Sequence, residues 1–500
     1  KRQWCTLLLD QAPTEECSIW SISFVAVPTL FLLQLLLSAY VWRKINKRKR
    51  RQYGNQVGLA LLVCFMLTHL VNSWADATLY QPITMQRANF PLSYPMTARS
   101  FLAKHGWLDL EQYEKKAENQ GSAEHRLLYP LRPLSVSAPS EHKNLLVVVV
   151  DSLRADMLNN INMPNLQRYA DQHLNFANHM SGGNDDAMGM FSLFYGLPGH
   201  YYGDIRADKR PPVLFDEMLR QDYQFGLFGA LEDAKQYQQS LLAGLRKQVF
   251  VSRQSDDTRL IGDWQQWLGT RTADRPWFSL VYLSSPGDYQ VPASLKGPFQ
   301  PELTRFNPAT AYRPENLQKL ENRYKNSVFY TDQLLEQMLS QLQQQGLSEQ
   351  TIVVITSNHG QEFNETQSNS WGYGSNYSPY QVQVPLVLAW PGVESQPQEQ
   401  ASSHLDLVPT LMKGMLGVRN HPRDYSTGRS LFDTSPRNWL LAGDQNDFAI
   451  YQDNTITQFN KQGDFELLDR ATYRPIKHGT PDMGAMIQVM NELNRFYRTP

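Results

Sequence analysis

Three short stretches of this sequence hold side chains able to do chemistry. Asp151 follows directly on the apolar run Leu145-Leu146-Val147-Val148-Val149-Val150 and opens Asp151-Ser152-Leu153-Arg154-Ala155-Asp156. His359 stands in Ser357-Asn358-His359-Gly360-Gln361-Glu362, just past another apolar run. Between them in the chain lies the Gly-rich turn Ser181-Gly182-Gly183-Asn184-Asp185-Asp186. A carboxylate, an imidazole and a loop placed to carry a nucleophile are the groups that gather on one divalent cation in metal-assisted ester chemistry. Each has a plainer reading alone: an Asp after a strand often caps a helix, and a single His is often a hydrogen-bonded structural residue. Their combination, and their place at the carboxyl ends of strands, favour a site.

The elements around them read as α/β. Continuous apolar runs at 145–150, 225–230, 277–283, 351–356 and 384–390 have the look of parallel strands covered on both faces. Helical patterns fall between them at 165–177, 212–221 and 314–345, and a turn-to-helix pattern leads into 188–193. Strands alternating with helices imply a doubly wound sheet. Short strands at 439–441, 448–451, 455–459 and 465–468 predict an antiparallel meander packed on that sheet, and a helix at 483–497 closes the chain. The fold class is therefore an α/β doubly wound domain with a small C-terminal antiparallel sheet, preceded by transmembrane helices.

That last element comes from the first 80 residues. Residues 18–42 and 53–75 are uncharged stretches of 25 and 23 residues. A 25-residue helix is roughly 37 Å long, enough to cross about 30 Å of bilayer hydrocarbon. Trp20, Trp42, Trp74 and Tyr80 sit at or near their ends, as in an aromatic belt. The connector at 43–51 has seven basic residues in nine, which holds it on the cytoplasmic side. The 420 residues after Tyr80 then lie outside the cytoplasm. We divide the chain into a membrane part (1–80), a basic juxtamembrane segment and linker (81–142), and an outer globular domain (143–500).

Composition limits the alternatives. Of 500 residues, 47 are Lys or Arg and 48 are Asp or Glu, a net charge of −1 that gives no support for nucleic-acid binding. Three cysteines cannot staple a chain of this size. The balance is nevertheless local: residues 77–108 hold no acid, while Arg87, Arg99 and Lys104 are basic. The stretch Pro95-Met96-Thr97-Ala98-Arg99 emerges where lipid headgroups lie, and each cation near an anionic surface contributes on the order of 1 kcal/mol. Arg99 suits a phosphate bidentately, with backbone N–H groups assisting. The plainer reading is an ordinary snorkelling linker.

Val150-Asp151-Ser152-Leu153-Arg154-Ala155-Asp156, Ser357-Asn358-His359-Gly360, Val384-Pro385-Leu386-Val387 and Ser403-His404-Leu405-Asp406-Leu407-Val408-Pro409-Thr410 resemble, in order, the motifs of the alkaline phosphatase–sulfatase superfamily. With Tyr80-Gln81-Pro82-Ile83-Thr84-Met85-Gln86-Arg87-Ala88-Asn89 and His179-Met180-Ser181-Gly182-Gly183-Asn184, nearly the whole chain is similar to the YejM/PbgA-type inner-membrane proteins of Gram-negative bacteria. Lipoteichoic acid synthases and phosphoethanolamine transferases are the related active enzymes. The resemblance implies further membrane helices ahead of Lys1 and a periplasmic outer domain.

For the site, the resemblance implies one divalent cation held by Asp151, His359 and the position of Asn358, where active relatives have Asp. It also implies a Thr nucleophile in the region that here reads Asp185-Asp186. This chain departs at both places, so the ligand set reads as vestigial and the nucleophile as lost. Removing a nucleophile costs roughly six orders of magnitude in a hydrolase. Ser181 is a nearby hydroxyl with no base assigned to it, and His404 and Asp406 read as structural.

The expected function is a catalytically degenerate protein that senses lipid A, or lipopolysaccharide, at the periplasmic face and regulates lipopolysaccharide synthesis. Its implied partners are lipid A, anionic phospholipid and a LapB-type adaptor, with no nucleic acid. The phosphate would be held by Arg99 and the backbone of Pro95, Met96, Thr97 and Ala98, with Arg87 and Lys104 sharing the charge; Ser100 stands where the family often has a second Arg. Two alternatives remain open: an active metal-dependent phosphotransferase or phosphatase on lipid headgroups, and transport of a lipid such as cardiolipin.

Overall fold

The computed structural model describes residues 34, 36, 38–44, 53–78, 102, 104, 127–137, 139, 141–229, 241, 245, 249–272, 274–293, 295–460 and 463–497. The chain forms two units, Lys1–Ala117 and Glu118–Pro500. In the first, helix α1 (Gly54–Ala77) contains an apolar stretch, Gln56–Ala75, of mean hydropathy 1.7. Among the described residues it is the one helix long and apolar enough to cross a membrane. Thr68 donates its hydroxyl to the Cys64 carbonyl at 2.8 Å, which satisfies a polar group inside the apolar stretch. Residues 38–44 are helical, and the rest of the span predicted at 18–42 lies almost wholly outside the described residues.

The second unit is built on an eight-stranded sheet. Its elements begin with β1 (Asn144–Val150), α2 (Pro164–Ala170), β2 (Leu174–Phe176), β3 (His179–Met180), α3 (Asp186–Tyr195), α4 (Val213–Arg220), β4 (Gln224–Phe228) and β5 (Val249–Ser252). Then come α5 (Asp257–Thr270), β6 (Trp277–Leu283), α6 (Leu317–Gln344), β7 (Thr351–Ser357) and β8 (Leu386–Ala389). After β9 (Pro397–Gln398), β10 (Ser402–Ser403) and α7 (Leu407–Gly414) follow the meander β11 (Leu440–Gly443), β12 (Phe448–Tyr451), β13 (Thr455–Phe459) and β14 (Phe465–Asp469), and α8 (Met483–Asn494). The strand order is β9-β2-β8-β7-β1-β6-β4-β5. The five strands β7, β1, β6, β4 and β5 are mutually parallel.

Strand β1 shows why the fold is doubly wound. Successive side chains of a strand point to opposite faces. Leu145, Val147 and Val149 enter a core shared with Phe194 of α3, Phe215 of α4 and Leu411 of α7. Leu146, Val148 and Val150 enter a second core with Leu166 of α2, Trp264 of α5 and Leu335 of α6. All seven residues of β1 are buried.

Two elements differ from the sequence expectation. The run at 384–390 reads like the parallel strands, yet β8 is antiparallel to β7. No crossover helix separates the two: residues 358–385 fold back over the carboxyl ends of the strands, so the chain re-enters the sheet from that end. The helical pattern at 165–177 stops at Ala170, turns through Asp171-Gln172-His173, and becomes β2, which pairs with β8. The C-terminal meander β11–β14 is antiparallel throughout, as its short, closely spaced strands predict.

Residues 127–137, which read as linker, belong to the second unit. Leu127 bridges Tyr497, Leu128 N–H donates to the Phe496 carbonyl at 2.7 Å, and Leu131 N–H donates to the Asp424 carbonyl at 2.7 Å. Leu127 and Tyr129 are buried.

Candidate functional site

Asp151 sits where β1 ends, its N–H donating to the Leu283 carbonyl of β6 at 2.8 Å. The next residue, Ser152, adopts φ +59°, an uncommon left-handed conformation for a residue with a side chain. Its carbonyl accepts the Tyr324 hydroxyl at 2.7 Å and its N–H donates to Asn358 Oδ1 at 3.1 Å, so α6 and the β7 end hold the strained turn. Arg154, buried beyond the turn, pairs with Asp156 and Glu365. Room for the Asp151 carboxylate depends on Gly287, where a Cβ would lie 2.1 Å from Asp151 Oδ2.

The Gly-rich turn delivers α3, and its two aspartates divide the work. Asp185 is the N-cap: its side chain accepts the Met188 N–H at 2.8 Å. Asp186, the first helical residue, turns into the site. Its Oδ1 lies 2.9 Å from His359 Nε2 and accepts from Asn358 Nδ2 at 2.6 Å and from the Tyr282 hydroxyl at 3.3 Å. Helix α3 comes this close because Gly189 has no side chain: a Cβ there would meet the Asn358 carbonyl at 2.0 Å. Ser181 is committed elsewhere, donating its hydroxyl to the Asn358 carbonyl at 2.5 Å.

Asn358 and His359 complete the cluster from the end of β7, both fully buried. Asn358 Oδ1 accepts the backbone N–H groups of Ser152 and His359, at 3.1 and 2.9 Å. That fixes the amide, so its NH₂ group points at Asp151 Oδ1 (3.0 Å), Asp186 Oδ1 (2.6 Å) and the Tyr282 hydroxyl (2.9 Å). The residue at this position therefore offers a donor rather than an oxygen ligand. His359 Nδ1 lies 2.8 Å from the Gly360 carbonyl, which directs Nε2 toward Asp186 and, at 3.6 Å, Asp151.

The electrostatics follow from this packing. Burial is the largest influence on Asp151 and, with the charge of Asp186, lifts its carboxyl to about 6. Burial also acts to raise Asp186, but the hydrogen bond and charge of His359 outweigh it and hold this carboxyl low. Burial disfavours the charged form of His359, yet the Asp186 hydrogen bond and the charges of Asp151 and Asp186 win and raise it. Asp186 and His359 thus form a charge-assisted pair.

Asp151, Asp186 and His359 each offer a ligand atom, all within 4.8 Å of one another. Two carboxylate oxygens and one imidazole nitrogen suit a divalent cation. The fit is with three protein ligands, because turning Asn358 to present its oxygen would set its NH₂ against two backbone N–H donors. A cation held there would polarise an ester oxygen; the chain's own contribution would be to fix the three donors and screen them with Tyr373, whose ring lies 4.1 Å from that of His359.

Of the residues singled out in the sequence, the fold joins Asp151, Asp186, Asn358 and His359, and leaves Asp185 as a cap. Arg87, Pro95, Met96, Thr97, Ala98 and Arg99 lie outside the described residues; Lys104 is helical and exposed. Sequence reasoning missed Tyr282 and Tyr373. Tyr282 is next to the carboxyl end of β6 and was open to the same strand-end argument as Asp151. Tyr373 lies in an irregular loop with no periodic signal.

Comparison with known proteins accords with this geometry. Residues 143–418 match the sulfatase family, and residues 2–136 match a family described as a domain of unknown function, DUF3413. The inner membrane protein YejM of Salmonella typhi is 31% identical over 497 residues, covering 98% of this chain and 79% of that protein. An uncharacterized protein of Haemophilus influenzae is 32% identical over 496 residues, covering 98% and 78%. Among solved structures, an alkaline phosphatase superfamily protein from Vibrio parahaemolyticus superposes with a TM-score of 0.53 at 14% identity, over 75% of this chain and 93% of that one. The family match over 143–418 and the likeness to YejM along nearly the whole chain, together with an α/β sheet that sets Asp151, Asp186 and His359 at the carboxyl ends of its strands, place this chain in the sulfatase family, among the YejM-type inner membrane proteins.

Proposed function

We propose that this protein is a sensor and not a turnover enzyme. Its outer domain lies in the periplasm, and the acid-free segment carrying Arg87, Pro95, Met96, Thr97, Ala98, Arg99 and Lys104 reads lipid A phosphates at the inner-membrane face. Occupancy then regulates lipopolysaccharide synthesis through the membrane part and a LapB-type adaptor. The observation that carries the non-catalytic half is Asp186. A carboxylate locked to His359 and Asn358 occupies the head of α3, and the Tyr282 hydroxyl beside it donates to that carboxylate. Two like charges about 4 Å apart repel by about 4 kcal/mol at an effective dielectric near 20, so this carboxylate opposes an incoming phosphate. The lipid half rests on the cation pattern of 77–108 and on the similarity to YejM. Lipid that co-purifies with the full chain tests it: lipid A bound to the wild type and lost from Arg99→Ala is expected. Equal lipid A content in the two proteins refutes this reading.

One observation favours a second reading, a metal-dependent phosphotransferase or phosphatase acting on lipid headgroups. Asp151, Asp186 and His359 already form a three-donor set. Stoichiometric Mn²⁺ or Mg²⁺ together with turnover of a phosphodiester, both abolished in Asp151→Ala, would establish it in place of the first.

A further inference from the structure

Away from the Asp151 cluster, a cavity of about 710 Å³ opens between the end of α7, the 421–439 loop, β11 and α8. Five cations line it: Lys413, Arg423, Arg429, Arg437 and Arg495. The carboxylates nearby do not balance them. Asp406, behind the wall, takes both guanidinium N–H donors of Arg437 at 2.6 and 2.7 Å. Glu492 is shared between Arg423 and Arg495. Asp433 is exposed and accepts the N–H of Ser435 at 3.0 Å.

Lys413 and Arg429 have no carboxylate within ion-pair distance among the described residues. The Arg429 guanidinium reaches only neutral oxygens, Ser435 Oγ at 3.0 Å and the Pro436 carbonyl at 3.4 Å. Burial, and then the neighbouring charge of Arg437, push Arg429 below its usual value; burial and Arg423 push Arg495 to about 10. Like charges crowded around a half-enclosed space cost stability unless an anion joins them. The remaining walls are of a different kind. Trp439, its Nε1–H donating to Gln488 at 2.8 Å, and Phe432 present aromatic surface, and Asn438 adds an amide.

We infer that this cavity is a binding site for a phosphorylated saccharide, with Lys413 and Arg429 taking a phosphate and Trp439 and Phe432 the apolar face of the sugar. Free cations without a carboxylate match a doubly charged oxyanion, and guanidinium groups bind phosphate bidentately. Flat aromatic walls beside amides match a ring whose faces are C–H and whose rim is hydroxyl. The chemistry is common to a soluble sugar phosphate and to the headgroup of a phosphorylated glycolipid. This site shares no residue with the Arg99 segment and stands or falls separately from it.

The test uses the full chain in phosphatidylcholine nanodiscs at low ionic strength, with glucose 1,6-bisphosphate, inorganic phosphate and glucose titrated by calorimetry. Glucose 1,6-bisphosphate is expected to bind at least tenfold more tightly than inorganic phosphate, and glucose not at all. Lys413→Ala with Arg429→Ala should weaken the bisphosphate at least tenfold. Neither Lys413 nor Arg429 holds an ion pair, so the melting temperature of the double variant verifies that it is folded. Adding a phosphorylated glycolipid to the nanodiscs separates the sources. A tenfold loss of apparent bisphosphate affinity, absent in the double variant, identifies the headgroup as occupant; unchanged affinity identifies a soluble sugar phosphate. Absence of bisphosphate binding to the wild type, or undiminished binding to the folded double variant, overturns the inference.

Discussion

The side-chain nitrogen of Asn358 lies 2.6 Å from Asp186 Oδ1, and its oxygen is tied to two backbone N–H groups, so the amide cannot invert without leaving donors facing donors. The residue binds the two aspartates as a cation would, with a partial charge in place of a full one. Asn358→Asp should therefore keep both backbone hydrogen bonds and add a third carboxylate between Asp151 and Asp186. Without metal, the variant should lose roughly 3 kcal/mol. Millimolar Mn²⁺ should restore its melting temperature and raise it more than it raises that of the wild type. Equal Mn²⁺ responses in the two proteins would contradict this role for the amide.

Gly189 and Gly262 should respond oppositely to alanine. A Cβ on Gly189 collides with the Asn358 carbonyl, while one on Gly262 in α5 meets nothing within 4 Å. Gly189→Ala should cost about 2–3 kcal/mol by overpacking, and it should move Asp186 away from His359. Gly262→Ala should add roughly 0.5–1 kcal/mol through helix propensity. Denaturant midpoints of both variants check the pair.

Two buried histidines should make the second unit sensitive to acid. His404 is fully buried, and burial pushes it down to about 4; His179 is lowered as well, first by burial and then by His404. Both are neutral in the folded state. At these two sites the unfolded chain binds more protons below pH 6.5 than the folded one, so their contribution to stability falls as the pH drops from 6.5 toward 4, while Asp151, lifted to about 6, and His359, raised, act in the opposite sense. His404 alone accounts for about 2.5 kcal/mol at pH 4.5. Denaturant unfolding of the wild type and of His404→Gln at pH 7 and 4.5 isolates this: between the two pH values the variant should lose about 2.5 kcal/mol less than the wild type.

Arg437 and Asp406 should prove asymmetric. Asp406 also accepts the N–H groups of Ser403 and Arg429, at 2.9 Å each, so its charge is engaged at several points while 2% of its side chain is exposed. Arg437→Ala would leave that carboxylate buried without its cation, a loss of about 3–5 kcal/mol. Replacing both residues, as Asp406→Asn with Arg437→Met, should cost less than Arg437→Ala alone. A double-mutant cycle by denaturation decides it.

Much of the framework was legible because burial on both faces leaves an unambiguous trace. The largely apolar runs of β1, β6 and β7 mark them as central strands, and the short strands that follow one another closely toward the C-terminus mark the meander. Direction leaves no such trace, which is why β8 looks like its neighbours while running against them. The cluster was half legible. Asp151 and His359 follow from strand ends, but Asp185 and Asp186 are equally good caps by type, and only the path into α3 decides which one turns inward. Asn358 was legible as a departure from a motif; the orientation of its amide depends on Ser152, 206 residues away.

The bridge between Leu127 and Tyr497 fastens together two segments 370 residues apart in the chain. A pull on the chain ahead of Leu127 would load the Leu128–Phe496 hydrogen bond first and peel that clasp open. The parallel strands that carry Asp151 and His359 are held by pairings of their own, which this opening leaves intact.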